Sequence, residues 1–477
     1  MANSPENPAR RKLIRNSAGM FGLGIATYTL GPLASESRKE YQLTAGPSRV
    51  RLVPEPYNET NVWAFNDSVP GPAIRVKQND WIRVEATNQL TQDTTIHWHG
   101  QRVPNAMDGV PHLTQTPISQ DGKFIYEFQA HDAGTYWYHP HFNSTEQVGR
   151  GLYGALIVEE PEPVAVDEDL TWILDHWRLM QTAEILENFG HMHDISHDGR
   201  IGNTVTINGR IQESQKVSAG QRIRLRLINA ANARIFSLHF QGHSPQIIAI
   251  DGHAVQPHSP PREVVQLAPG MRIDLILDCT GEVGAAYSVT DQHYANREFH
   301  LLDLEYDANP LREQLLDSPI QLPANPLPEP VLTNATRIDY LLAGGAMGRL
   351  RGAVMDGEWQ DIQAMVKAGK AWSINDTVST GHVMAPSADL KIGQTYIFNI
   401  VNDTAWPHPM HLHGHTFRVI SRNGEGTQYQ EWQDTVLINP NESAEIAFVA
   451  DNPGDWMFHC HILEHQTGGM STVVRVS

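Results

Sequence analysis

The sequence predicts an all-β protein built from three consecutive sandwich or barrel domains. Three observations predict it: a length of 477 residues, short alternating strand patterns set among 37 Gly and 30 Pro, and one pattern that occurs three times. At about 150 residues per domain, the length corresponds to roughly three domains. Hydrophobic residues are 40% and charged residues 19% of the chain, which suits a compact protein and not a disordered or coiled-coil one. Helical periodicity is thin throughout.

The first 34 residues read as an address. Paired arginines in Arg10-Arg11-Lys12 precede an uncharged stretch, Asn16 to Ser35, that is broken by Gly19, Gly22, Gly24, Gly31 and Pro32. That stretch is too weakly apolar for a spanning helix, and the pattern fits a twin-arginine export signal. The expected partner is the twin-arginine export machinery, the expected compartment periplasmic or extracellular, and the mature form carries no membrane anchor. The net charge of −19 repels phosphate backbones, so nucleic acid is excluded as a partner.

The repeat is read from three strands that each end in Asn: Val76 to Asn88, Val217 to Asn229, and Leu390 to Asn402. In each, a turn pair precedes apolar residues at every second position. Nine and eleven positions beyond the Asn stand His97 and His99 in the first copy and His411 and His413 in the third, but Leu238 and Phe240 in the second. A second anchor, Gly134, Gly284 or Gly454, is followed five and seven positions on by His139 and His141, Val289 and Asp291, and His459 and His461. The outer copies are equipped for metal and the middle one is not. Composition sets the boundaries: domain one over 45–160, domain two over 165–306, a Pro-rich extended linker over 307–334, and domain three over 335–477.

Residues i and i+2 of a strand share a face, so each His-x-His pair presents two imidazoles together. Eight imidazoles with almost no carboxylates suit copper better than calcium or magnesium. Three metals can share them as two, three and three, at the junction of domains one and three. Cys460 lies between His459 and His461 and points to the opposite face, where His408, His465 and Met470 can meet it. Two imidazoles, a thiolate and a weak axial thioether make a blue-copper electron-transfer site.

Four segments carry a resemblance: His97-Trp98-His99-Gly100, Trp137-Tyr138-His139-Pro140-His141, His408-Pro409-Met410-His411-Leu412-His413-Gly414, and His459-Cys460-His461-Ile462-Leu463-Glu464-His465 with Met470. Together they resemble the four signatures of the multicopper oxidases, in particular the laccase-like group, over residues 48–477. The resemblance implies three cupredoxin-like Greek-key domains and four copper ions. It also implies one-electron oxidation of four donor molecules at a type 1 copper, with O2 reduced to two waters at a trinuclear cluster. By position, His97 and His411 resemble the type 2 ligands, His99, His139 and His461 one type 3 set, and His141, His413 and His459 the other. His408, Cys460 and His465 resemble the type 1 ligands, with Met470 axial, which suggests a moderate potential. Asp108 stands where relatives carry an acid that helps deliver protons. Relatives often have Glu where this chain has Gln466, which cannot exchange a proton, so Glu464 becomes the nearby candidate acid. The expected donors are phenols, aromatic amines or related reductants. The alternatives are a metallo-oxidase for Cu(I), Fe(II) or Mn(II) involved in copper tolerance, and a non-catalytic copper-binding protein on the same fold.

Smaller features have plainer readings. His191, His193 and His197, with Asp194 and Asp198, read as a polar loop rather than an accessory metal site. Cys279 reads as a core residue, and Met347, Met355, Met365 and Met384 as mixed core and surface packing.

Overall fold

The computed structural model describes residues 38–477 except 163, 296–297, 318–319 and 382–384. The proposed export signal and Met384 lie outside the described residues. Strand accounts for 46% and helix for 6% of the chain, arranged as three successive two-sheet units.

In the first unit a four-stranded sheet contains Arg38–Val50, Thr60–Phe65, Trp81–Asn88 and Lys123–Gln129. It packs on a second four-stranded sheet containing Ile74–Lys77, His97–His99, Gly134–His139 and Gly154–Glu159. Ile82 and Val84 of one sheet share a core with Trp98, Tyr136 and Leu156 of the other. The middle unit pairs a six-stranded sheet, which includes Glu168–Trp177, Arg222–Asn229 and Arg272–Asp278, with a five-stranded one that includes Phe236–Phe240 and Ala286–Asp291. The third unit places His408–Leu412, Thr435–Ile438, Gly454–Cys460 and Ser471–Val476 in one sheet, against a sheet containing Thr336–Gly344 and Thr395–Asn402.

The repeat seen in the sequence has a local physical cause. Asn88, Asn229 and Asn402 are all buried. Each side-chain oxygen accepts from the backbone N–H two residues on: Leu90 at 2.9 Å, Ala231 at 3.0 Å and Thr404 at 3.0 Å. Each amide donates to carbonyls just beyond, Gln92 at 2.8 Å, Arg234 at 2.8 Å and Trp406 at 2.8 Å. One residue thus closes the same turn three times, which Asn does by mimicking a backbone turn. Each Asn-terminated strand also pairs in parallel with its unit's opening strand, in the registers Ala45↔Asn88, Leu174↔Asn229 and Leu342↔Asn402.

The second anchor is less uniform than its spacing suggests. Gly134 and Gly454 have φ of +147° and +137° and sit against neighbours, so that a Cβ at Gly134 would lie 2.2 Å from the Gly252 carbonyl. Gly284 has φ +75° with open space around it. The strand that follows it is also out of step. Leu238 pairs with Asp291, whereas His97 pairs with His139 and His411 with His459. Asp291, not Val289, therefore stands where the outer units carry histidine.

Residues 307–334 form no helix or strand among the described residues. They are tied down nonetheless: the Asn325 amide donates to the Ala133 carbonyl at 2.8 Å and accepts from the Ala133 N–H at 2.8 Å. No helix among the described residues is long and apolar enough to cross a membrane.

Candidate metal centre

The eight histidines of the four pairs are buried and converge between the first and third units. The His97–His99 strand lies beside Gly134–His139, and His408–Leu412 beside Gly454–Cys460. Only His97 and His99 both lie within a strand. The other three pairs combine a strand residue near its end with one beyond it: His413 and His461 one position past the strand, His141 two positions past. Rings from the two units stack directly, His97 on His413 at 4.0 Å and His99 on His411 at 3.8 Å between centroids. His461 meets His99 at 4.9 Å and His139 at 5.3 Å. Three-ligand groupings form from His97, His99 and His139, from His97, His411 and His413, and from His141, His413 and His459.

Hydrogen bonding shows which nitrogen of each ring is left over. His97 Nδ1–H donates to the Asp108 carbonyl at 2.8 Å, His411 Nδ1–H to the Asp434 carbonyl at 2.9 Å, and His139 Nδ1–H to the Pro140 carbonyl at 3.0 Å. Their buried Nε2 atoms have no partner among the described residues, and neither do His99 Nδ1 and His141 Nε2. His413 Nδ1–H donates to the Asp108 carboxylate at 2.9 Å and His459 Nδ1–H to the Cys460 carbonyl at 2.9 Å. Their two Nε2 lone pairs then face each other at 3.0 Å. Lone pairs converging in a dry site repel unless a cation lies among them. Burial, and then the neighbouring imidazoles, hold His139, His141, His413 and His461 well below the ordinary histidine range. The rings are therefore neutral ligands at physiological pH.

On the opposite face of the same strand, Cys460 Sγ lies 3.5 Å from His408 Nδ1 and 3.6 Å from His465 Nδ1, which are 3.0 Å from each other. His408 Nε2 is engaged by Thr404 Oγ1 at 2.9 Å, and His465 Nε2–H donates to the His197 carbonyl at 2.6 Å. The two Nδ1 lone pairs again face each other, with the sulfur completing a triangle. Burial pushes the Cys460 thiol up, so its deprotonation requires a bound cation. Met470 is buried in the same core, its carbonyl accepting from Cys460 N–H at 3.1 Å and its N–H donating to the His465 carbonyl at 3.0 Å. Trp372 closes the other side, 4.4 Å from the His465 ring.

Asp108 is buried and grips two ligands, His97 through its carbonyl and His413 through its carboxylate. Glu464 does not face solvent. It is 1% exposed, accepts from Asn232 Nδ2 at 3.0 Å, and has no hydrogen bond to a cluster histidine among the described residues. Burial raises its pKa. Gln466 Nε2 lies 3.4 Å from His141 Nδ1 while its Oε1 is buried without a partner. Reversing the amide lets Oε1 accept from His141 Nδ1–H, which leaves His141 Nε2 free to serve as a ligand. A cavity of about 350 Å³ reaches His141 and Gln466 past Pro111, Leu113, Lys370 and Thr467.

One functional residue escapes sequence reasoning. Buried Asp434 touches His99 Nε2 at 3.1 Å and His411 Nδ1 at 3.3 Å through Oδ1. Arg272, on a strand of the middle unit, clamps it with bonds of 2.9 and 2.6 Å. Burial opposes its ionisation, but Arg272 and His99 hold it well below the carboxylate range. Asp251 receives the N–H groups of Asp434 and Thr435, each at 3.1 Å.

Family models described as multicopper oxidase match residues 48–163, 168–303 and 357–477. Multicopper oxidase MmcO of Mycobacterium tuberculosis is 31% identical over 447 residues, which covers 86% of this chain and 82% of the relative. The crystal structure of a multi-copper oxidase from Pseudomonas thermotolerans superposes with a TM-score of 0.82 at 33% identity, over 93% of this chain and 100% of that one. A Campylobacter jejuni multicopper oxidase described as a metallo-oxidase gives a TM-score of 0.76 at 26% identity, over 92% and 91%. With the converging imidazoles and the thiolate triangle in place, this chain is a member of the multicopper oxidase family, an oxidoreductase that uses copper and O2.

Proposed function

We propose that this chain is an exported oxidase of laccase type that holds four copper ions, one at His408, Cys460 and His465 and three among the eight cluster imidazoles. The observation that carries the reading is the tripeptide His459-Cys460-His461. Its central sulfur serves one ligand triangle while its flanking rings serve the other, so a covalent path of a few bonds joins two centres. Bound copper supplies one-electron oxidation at the thiolate triangle and four-electron reduction of O2 to water at the cluster. His97 and His411 would hold the type 2 copper, His99, His139 and His461 one type 3 copper, His141, His413 and His459 the other, and Met470 would add a weak thioether ligand to the thiolate triangle.

The chain's own groups orient and exclude. Asp108 and Asp434 fix the rings of His97, His413, His99 and His411 with one nitrogen turned inward. Asp108, whose Oδ1 makes no hydrogen bond but lies 3.2 Å from His97 Nδ1, stands beside the type 2 position as the candidate acid for proton delivery. The cavity at His141 gives O2 a route in and water a route out. Export through the twin-arginine machinery places the site in the periplasm or outside the cell.

The cover over His465 bars direct contact by either donor class expected from the sequence, so an electron must cross the His197 segment to reach the ring. The His465 ring is fully buried and its Nε2 is already committed to the His197 carbonyl. A phenol cannot bring its hydroxyl against that nitrogen without displacing the cover. The test is the copper-loaded protein. Intense blue colour, a near-ultraviolet shoulder and O2 uptake with a phenol or Cu(I) are expected, and a colourless protein that consumes no O2 overturns the reading.

A further inference from the structure

We infer that Gly270 of the middle unit is a positioning residue for His461, and that its turn walls one type 3 ligand set, His99, His139 and His461. The inference rests on the copper assignment proposed above and adds what seats those three rings. Every other cluster imidazole has one nitrogen tied to a neighbouring residue. His461 is the exception: both its ring nitrogens are buried without a hydrogen-bond partner among the described residues. With no bond to fix its rotation, the ring is held by what packs against it. Gly270 is buried between the strands Val264–Leu267 and Arg272–Asp278, at φ +86°. A Cβ there would stand 2.8 Å from His461 Cγ and Cδ2 and 3.0 Å from His99 Cε1. These distances are inside van der Waals contact, so the absence of a side chain at Gly270 is what lets the two rings lie where they do.

The same turn reaches the third ring. The Gly270 carbonyl accepts from Trp137 Nε1–H at 3.3 Å, and Trp137 stacks on His139 at 4.2 Å and meets His461 at 5.5 Å between centroids. Arg272 Nη1 donates to that carbonyl at 3.2 Å while also holding Asp434, the carboxylate at His99 Nε2. The middle unit's own landmark fixes the turn. Gly270 N–H donates to the Asn229 carbonyl at 3.0 Å, and Asn229 Nδ2 donates to the Leu267 carbonyl at 2.9 Å. The other type 3 set is oriented without the middle unit, by Asp108 at His413, the Cys460 carbonyl at His459 and Gln466 at His141. A change at Gly270 therefore acts on one type 3 position and spares both the other and the Cys460 triangle.

Gly270→Ala and Gly270→Asn add the same Cβ, but Asn tolerates a positive φ better than Ala. In both copper-loaded variants the blue absorption is expected to keep its wild-type intensity while the near-ultraviolet shoulder is lost. The chelator concentration that strips one copper ion per chain is expected to fall about 10- to 100-fold. A shoulder restored by Asn but not by Ala makes backbone strain the cause and overturns the wall. An unchanged shoulder, or a blue band lost in step with it, overturns it too. Where the glycine variants do not fold, Trp137→Phe keeps a ring beside His139 and removes only the bond to the Gly270 carbonyl. It is expected to weaken the shoulder and spare the blue band, and an unchanged shoulder again overturns the wall. The metal-free proteins separate this inference from the oxidase reading. A crystal structure of Gly270→Ala without copper is expected to show the His461 ring turned from its position in the metal-free wild type, and an unmoved ring overturns the wall. A wild type that stays colourless after copper loading overturns the oxidase reading and leaves that displacement standing.

Discussion

The middle and third units share a plan and differ in one face. Both close their key turn with a buried Asn, and both lay the following strand across from a second, antiparallel one. In the third unit that face carries His411 and His459. In the middle unit it carries Leu238 and Phe240, both buried in the hydrophobic core, and Asp291, which accepts from Arg234 at 2.9 Å and from Ser237 N–H at 3.0 Å. The fold therefore does not make a metal site. It offers a rigid pair of strands, and side-chain identity decides whether imidazoles or apolar groups fill it. The middle unit, relieved of ligands, supplies the supports: Arg272 to Asp434, Asn232 to Glu464, and the His197 carbonyl to His465.

The most damaging way to erase the difference is Cys460→Ser, which removes the soft ligand that the middle unit also lacks. A hydroxyl does not replace a thiolate as a soft ligand. Blue absorption and oxidase turnover are expected to vanish while the far-ultraviolet circular dichroism stays β-type. A blue Cys460→Ser protein sinks the assignment of the triangle.

Asp434→Asn attacks the middle unit's support instead. It leaves buried Arg272 with only Asp251, 3.5 Å away, to offset its charge, a loss of up to about 3–5 kcal/mol in unfolding free energy. Metal retention at the cluster is expected to weaken by about 10- to 100-fold, as for other groups that orient ligands. Pairing it with Arg272→Leu removes the unpaired charge, so stability is expected to recover in part while copper content does not. Full recovery of both in the double variant contradicts the positioning role of Asp434.

The reverse experiment installs imidazoles where the middle unit has none. Leu238→His with Phe240→His buries two polar rings in an apolar core and is expected to cost about 2–4 kcal/mol. No extra copper is expected, because Asp291 opposite is already held by Arg234. Copper stoichiometry by mass spectrometry checks it, and one added ion per chain shows that ligands alone suffice.

These contrasts explain what the sequence could and could not say. The ligands were legible because the same residue type recurs at the same offset from a landmark, and the landmark's task is local: Asn88 closes its own turn within a few residues. Asp434 was not legible, since its meaning depends on Arg272, 162 positions away, and on two rings from different units. The His197 segment read as a polar loop because its contribution is a carbonyl, which any residue carries. Gly284 misled by spacing. It keeps the count of the outer anchors but not their φ, and the paired strand is slipped by two residues relative to theirs.

The smallest effect tests how the middle unit is fastened to the first. Asp175 is buried and accepts from Tyr153 Oη at 2.8 Å and from His176 N–H at 2.6 Å. Burial pushes its carboxyl up to about 8, whereas in the unfolded chain it ionises near 4. Between those values the folded protein holds a proton that the unfolded chain has released. The resulting stabilisation is complete at the acid end and is lost as pH rises toward 8. Asp175→Asn keeps a neutral group whose carbonyl can still accept from His176 N–H and whose amide can donate to Tyr153. Melting temperature in the wild type is therefore expected to fall between pH 5 and 8 by a few degrees more than in Asp175→Asn. Parallel profiles for the two proteins show that Asp175 is ionised in the folded state and that this contact with Tyr153 is charged after all.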